Sequence, residues 1–247
     1  MVIESRTDIN GLRRANRATA RLLKHLARMA KPGVTTRTLD DFARAYIADL
    51  GADPVFHTEE GFPGAINTSL NDAAMHGVPS EYQLRAGDVL SIDAGMLLDG
   101  YCGDATITVA IGTVSPARQR LIETARGTMQ AGIAAAVTGN RVGDISHAMQ
   151  QYAEARGFGV FRGFTGHGVG HKMHEAPEIP FVGKAGTGPA LQEGLVITIE
   201  PVIAERSPRY RIDPDGWTVR TMDGGCAAQF EHTVMVTRHG AQILSQV

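Results

Sequence analysis

Disulfides, membrane spans and a strong net charge are all missing from this chain of 247 residues. Its two cysteines, Cys102 and Cys226, are too few for a disulfide framework and point to a reducing compartment. No apolar run approaches the ~20 residues that a membrane-spanning helix needs. The opening residues MVIESRTDIN lack the apolar stretch of a secretory signal. A cytoplasmic location with no membrane partner is therefore expected. A net charge of −2 and a pI near 6.5 leave no excess of basic residues, so nucleic acid is not expected as a partner either. Low-complexity segments and linkers are also lacking. The 29 glycines and 11 prolines are scattered, which suggests many tight turns in one compact unit and a single catalytic domain over residues 1–247.

What the chain does have is acid in unusual places. Asp93, Asp104, Glu200 and Glu231 lie on the apolar runs VLSIDAG (89–95), DATITVAIG (104–112), LVITIEPVI (195–203) and FEHTVMVT (230–237). Each run reads as a buried strand, and a buried carboxylate is costly unless it is paired or binds a metal. Side chains alternate along a strand. Ser91 therefore shares a face with Asp93, Thr106 with Asp104, Thr198 with Glu200 and Thr233 with Glu231, while the opposite faces are aliphatic. Any one of these acids alone reads as a solvent-facing or capping group; four with the same pattern do not. Two divalent ions would cancel four negative charges that could not otherwise all stay ionised side by side. Oxygen and nitrogen ligands without thiolate suit Mn, Fe, Co or Zn.

The chain also repeats itself once. Helical spacing of apolar residues runs through 8–30 and 37–50, and again from Ser115-Pro116 to Ile133 and through Ile145, Met149 and Tyr152. PGVTTRTLDDFARAYIADLGA (32–52) aligns with TGNRVGDISHAMQQYAEARGF (138–158), and GDVLSIDAG (87–95) with EGLVITIEP (193–201), which puts Asp93 over Glu200. The expectation is an α/β fold of two pseudo-twofold halves, about 8–112 and 115–237, around a central antiparallel sheet, with the site between them. The segment TGHGVGHKMHEAP (165–177) adds His167, His171 and His174 among glycines that let backbone approach a ligand closely, and MHGVP adds His76 more weakly.

Taken in order, MHGVP (75–79), SIDAG through GD (91–104), GHGVG…HEAP (166–177), TIEP (198–201) and DGWTVRT…AQFEHT (215–233) resemble the type I methionine aminopeptidases, a family with the pita-bread fold. The resemblance covers essentially the whole chain. It implies a dinuclear hydrolase that removes the initiator methionine from nascent chains, favouring small second residues. The family's metal ligands fall on Asp93, Asp104, His167, Glu200 and Glu231, with Asp104 and Glu231 bridging the ions. Its non-ligand catalytic histidines fall on His76 and His174, and Glu200 relays a proton. The side-chain pocket is implied to be Phe62, Asn67, Met173 and Trp217, with His76 and His174 also on the substrate. Peptide and nascent-chain N-termini are the implied partners, and a transient ribosome contact is compatible with this.

The chain departs from the family at Met75, where a cysteine commonly precedes the first histidine, at Asn67, often cysteine, and at Met173, commonly aromatic. Those positions bear on side-chain preference, not on the metal ligands. Xaa-Pro aminopeptidases and prolidases share the fold and the GHG…HE motif, but their last-ligand segment reads RIED-like where this chain reads FEHT. They and a non-catalytic, peptide-binding protein of the same fold are the alternatives. The short interval between His174 and Glu200 leaves no room for the helical insertion of the type II enzymes.

Overall fold

A computed structural model describes residues 1–58 and 61–246. Five helices occur among these residues: α1 (Arg6–Met29), α2 (Thr36–Asp49), α3 (Val55–Thr58), α4 (Pro116–Ala135) and α5 (Val142–Glu154). The strands of the first half are β1 (Ile66–Leu70), β2 (Ala73–Met75), β3 (Val89–Leu98) and β4 (Tyr101–Ala110). Those of the second half are β5 (Gly159–Val160), β6 (Thr165–Gly168), β7 (Glu175–Pro180), β8 (Val196–Ile199), β9 (Val202–Ala204), β10 (Tyr210–Ile212), β11 (Val219–Thr221), β12 (Ala227–Gln229), β13 (Glu231–Met235) and β14 (Gln242–Ile243).

The helices start where the sequence offers caps. Ser5 accepts the Asp8 amide at 3.1 Å, Thr35 the Thr38 amide at 3.0 Å, and Ser115 the Arg118 amide at 3.3 Å just before Pro116. Each side-chain oxygen satisfies a backbone donor that the first helical turn leaves open. Below the helices lies the main sheet, in the order β1-β3-β4-β13-β8-β6-β7 with β14 on β13, every recorded pair antiparallel. The expected α/β fold with a central antiparallel sheet is what forms. On one side of the β4–β13 junction, α1 and α2 precede β1, β3 and β4 in the chain. On the other, α4 and α5 precede β6, β8 and β13.

One aliphatic face of the sheet meets the helices. Leu90 and Ile92 of β3 join Leu22, Leu26, Leu39 and Ile47 in one buried cluster. Ile197, Ile199 and Val234 join Leu121, Met129, Ile145 and Met149 in another. Contact between α1 and β4 depends on Gly103: a Cβ there would stand 2.5 Å from the Ala15 carbonyl carbon, so only glycine lets the helix backbone approach this closely. That contact matters for the site, because buried Asn16 on α1 reaches the amide of Asp104 at 3.4 Å and the Leu12 carbonyl at 3.0 Å.

The run 195–203 differs from the expectation. It does not form one strand; β8 stops at Ile199, Glu200 and Pro201 turn the chain, and β9 joins a separate sheet with β5 and β12. Proline cannot donate to a ladder and restricts the residue before it, so Glu200 marks the end of the strand rather than its middle.

Candidate metal centre and active site

Strand register puts the acids on one row. Asn67 of β1 stands opposite Asp93 of β3, Asp93 opposite Thr106 of β4, and Thr106 opposite Glu231 of β13. Directly opposed residues share a face, so this row points away from the helices, as the alternation in the sequence predicts. Asp104, two residues before Thr106, lies on the same face. The hydroxyl residues expected beside the acids hold the carboxylates and the strands. Thr106 donates to Glu231 Oε2 at 2.8 Å and Thr198 to Glu200 Oε1 at 2.8 Å. Thr233 donates to the Asp104 carbonyl at 2.8 Å, and Ser91 bonds Thr108 at 2.8 Å.

Above this row opens a cavity of about 560 Å³ whose walls include Asp93, Asp104, His167, Glu200, Glu231, His76, His174 and Asn67. Asp104 and Glu231 are each 3% exposed, and Asp93 and Glu200 are half-buried. One ligand atom from each of Asp104, His167 and Glu231 falls within a 4.8 Å cluster. His167 Nε2 lies 3.6 Å from Asp104 Oδ2 and 3.5 Å from Glu200 Oε1.

The donor set does not balance without cations. His167 Nδ1 faces the Gly168 carbonyl at 3.0 Å. A carbonyl only accepts, so Nδ1 carries the ring proton and Nε2 offers a lone pair toward two carboxylates. Burial, then the nearby His174, push the His167 pKa down to about 4, which keeps that lone pair free at neutral pH. Glu231 Oε1 is buried with no hydrogen-bond partner among the described residues. Burial and the charge of Asp104 push the Glu200 carboxyl well above the usual range, opposed by the Thr198 hydroxyl and reinforced by Asp93. Burial, Glu200 and Asp93 push Glu231 up in the same way. Lone pairs and mutually repelling carboxylates around one cavity are what divalent cations with oxygen and nitrogen ligands satisfy, so the residues present fit the metal that the sequence implies.

The two further histidines stand at the mouth. The His174 ring lies edge-on to His167, centroids 4.3 Å apart. His76 adopts φ 55°, a left-handed conformation unusual for a residue with a side chain. It is held there because Gly77 wedges against the Thr68–Ser69 backbone, where a Cβ has no room, and donates its amide to Ser69 Oγ at 3.0 Å. Such strain collects at functional positions. Solvent reaches the His76 ring, yet protein crowds it, and this desolvation together with His174 lowers its pKa.

Of the side chains implied for the methionine pocket, Asn67 lies on the cavity wall, and Phe62, Met173 and Trp217 belong to one apolar cluster. Phe62 and Met173 are each 1% exposed, and Phe62 meets Trp217 edge-on at 5.3 Å. Phe56 on α3 stands beside Met173 over Gly95 and lines the cavity. Sequence reading misses Phe56, since a lone aromatic on a one-turn helix carries no periodic signal. It also misses Phe164, which meets the His76 ring at 6.4 Å, and Gln229, whose Nε2 donates to Glu200 Oε2 at 3.4 Å. Both are open to view only as neighbours of quoted motifs: Phe164 stands just before TGHG and Gln229 within AQFEHT.

A model of metallopeptidase family M24 matches residues 10–238. A methionine aminopeptidase of Clostridium acetobutylicum is 42% identical to the chain over 246 residues, covering 99% of this chain and 98% of that protein. The crystal structure of methionine aminopeptidase from Rickettsia prowazekii superposes with a TM-score of 0.96 at 37% identity, covering 99% of this chain and all of that one. An Xaa-Pro dipeptidase from Bacillus anthracis shares the fold at a TM-score of 0.77, but at 22% identity, and the chain covers only 62% of it. With the pita-bread architecture, a full-length sequence match and a carboxylate-rich cavity that suits divalent ions, the chain belongs to metallopeptidase family M24.

Proposed function

We propose that this chain removes the N-terminal initiator methionine from nascent proteins and peptides, favouring small second residues, with two divalent ions as cofactors. The observation that carries the reading is the convergence of Asp93, Asp104, His167, Glu200 and Glu231 on one cavity with His76 and His174 at its mouth. The relatives similar over their whole length are methionine aminopeptidases. Likeness to Xaa-Pro enzymes rests on fold alone at 22% identity, and a non-catalytic role leaves the intact donor set without purpose.

In this reading Asp93, Asp104, His167, Glu200 and Glu231 would hold the ions, with Asp104 and Glu231 the most deeply buried of the acidic ligands. When bound, such ions supply Lewis acidity and lower the pKa of a water to near neutrality. Mn, Fe, Co and Zn all suit the donors. The protein's own groups do the rest. Glu200 takes the proton of the attacking water and passes it to the leaving amine, steered by Thr198 on one carboxylate oxygen and Gln229 on the other. His174 donates a hydrogen bond to the carbonyl oxygen as its charge grows. His76, fixed by its left-handed turn, holds the scissile amide. Preorganised donors of this kind are worth roughly 3–4 kcal/mol each.

The methionine side chain is placed against Phe56 and Asn67, with Phe62, Met173 and Trp217 as the apolar backing. An unbranched thioether adapts to such a wall, whereas a β-branched side chain is stiff at χ1. The proposal takes residues 1–247 as one catalytic domain of two pseudo-repeat halves, about 8–112 and 115–237, working in the cytoplasm on emerging chain N-termini, with transient contact at the ribosome. Cleavage of Met-Ala-Ser, Met-Lys-Ser and Leu-Ala-Ser peptides with several divalent metals tests it. Met-Ala-Ser is expected to be cut, Met-Lys-Ser poorly and Leu-Ala-Ser least. Equal kcat/KM across the panel would overturn methionine selectivity.

A further inference from the structure

The segment that carries His174 is a loop between β6 and β7, and His171, Lys172 and His174 on it are exposed. Gly166, Gly168 and Gly170 precede it, so the chain itself gives little stiffness. It is nevertheless held at defined points. The Cys102 amide donates to the Gly170 carbonyl at 2.7 Å, which joins the loop to β4 beside Asp104. The His171 ring nitrogen Nδ1 meets the Gly100 carbonyl at 2.7 Å. Glu175 closes the loop from its far end: its Oε1 accepts the amides of His171 at 3.0 Å and Lys172 at 3.2 Å.

The other oxygen of Glu175 is also taken. Oε2 lies 2.8 Å from the α-ammonium of Met1. Met1 is not loosely placed: its carbonyl accepts the Val196 amide at 2.8 Å, Val2 bridges to Leu195, and the Ile3 amide donates to the Gly194 carbonyl at 2.8 Å. Its side chain packs against the apolar cluster that includes Met173. Gly170 comes so close to Met1 that a Cβ at Gly170 would collide with it. Burial alone would raise the Glu175 carboxyl, but the hydrogen bonds from the Met1 amine and the loop amides outweigh it and hold it below its ordinary value. One carboxylate thus gathers an ammonium and two loop amides immediately beside His174 in the chain.

We infer that Glu175 is a positioning residue, which, by accepting the amides of His171 and Lys172, fixes the 170–174 loop so that His174 meets the substrate carbonyl. The inference rests on the peptidase reading for the role of His174. Glu175 touches no reacting atom; it acts through the loop backbone. A displacement of about 1 Å in a group that must meet a reacting atom can cost up to roughly a hundredfold in rate.

The test compares two variants of the metal-loaded protein with the parent. Glu175→Ala removes both amide contacts, and Glu175→Gln keeps an acceptor for them. On Met-Ala-Ser, Glu175→Ala is expected to lower kcat about tenfold to a hundredfold with KM and metal content unchanged, and Glu175→Gln to recover most of that loss. Independently of turnover, amide exchange at His171 and Lys172 should speed up in Glu175→Ala and stay near the parent's rate in Glu175→Gln. Unchanged kcat with only a lower Tm would overturn the inference, as would unchanged exchange at the two amides. Should Glu175→Ala fail to fold, Glu175→Asp, whose shorter side chain withdraws the acceptor, takes its place under the same outcomes. A wild-type protein that cleaves no methionyl peptide would sink the peptidase reading instead, and amide exchange would still show whether the clamp exists.

Discussion

Asp104 and Glu231 sit on paired strands, each 3% exposed, whereas His76 and His174 sit on exposed turns at the edge of the same cavity. The first pair is fixed by ladder register: Glu231 lies opposite Thr106, which donates to it at 2.8 Å, and the Asp104 amide is met by Asn16 from α1. The second pair is fixed by local devices, a left-handed turn wedged by Gly77 at His76 and the Glu175 contacts beside His174. The acids also repel one another, so the sheet stores unfavourable electrostatics that cations relieve. The floor should therefore govern metal content and stability, and the rim should govern turnover. Substitutions that separate those readouts test the division.

The largest effect is expected from Glu231→Ala. Loss of a proposed ligand should abolish nearly all activity and lower the metal content. Without metal, the same change relieves repulsion among Asp93, Glu200 and Glu231, so the metal-free variant should melt no lower than the metal-free parent. Atomic absorption and calorimetry on both forms check this; full metal content with activity retained would break the comparison on the floor side.

His174→Ala comes next. It should lower kcat by roughly 10²–10³-fold, the scale of one lost oxyanion donor, while metal content stays at the wild-type level. If the variant lost its metal but kept full turnover per bound ion, the rim and the floor would not be separate.

Metal removal should then change stability. A hundredfold excess of ion over its Kd contributes about 2.7 kcal/mol, roughly 5–10 °C in Tm for a chain of this size. The pH dependence should also change. In the metal-free protein the Glu200 and Glu231 carboxyls lie above their ordinary value of 4.5. Their contribution is therefore fully present below that value and is lost as pH rises through the folded pKa values. The lowered His167 pKa of about 4 acts with the opposite sign in the same window, so the clean readout is the gain in Tm on metal loading: it should be larger near about pH 8 than near about pH 5.5, because protons compete with ions for the same donors. Calorimetric scans with chelator and with excess Mn give both slopes, and parallel slopes would remove the electrostatic account of the floor.

The smallest effect is assigned to Asn67→Cys. Asn67 stands opposite Asp93 at the edge of the row, 4% exposed, next to the proposed methionine pocket. The exchange should alter the preference between methionine and norleucine peptides by a few-fold, about 1 kcal/mol or less, without abolishing turnover. Identical kinetics for both peptides before and after would detach Asn67 from side-chain recognition.

The floor is legible in the sequence because strand alternation is a strict period of two. Ser91, Thr106, Thr198 and Thr233 beside the acids mark the polar face, and the structure gives three of these hydroxyls bonds to a site carboxylate or to the backbone of one. The start of α4 is legible too, from Ser115-Pro116. What is not legible depends on contacts distant in the chain. Phe56 reaches the cavity only because α3 folds over Gly95, and nothing in VFHT announces that. Phe62, Met173 and Trp217 are implied as pocket residues by resemblance alone; that they gather in one apolar cluster with Phe56 is a matter of packing that sequence order does not carry. The break at Glu200 is signalled by Pro201, but the apolar run that continues beyond it masks the signal.

If the four acids and His167 serve to collect cations, titration of chelator-treated protein with Mn or Co by isothermal calorimetry should show up to two ions per wild-type chain and a marked loss of affinity in Glu231→Ala. Failure of the wild-type protein to bind either ion, or the same stoichiometry and affinity in Glu231→Ala, would contradict that role.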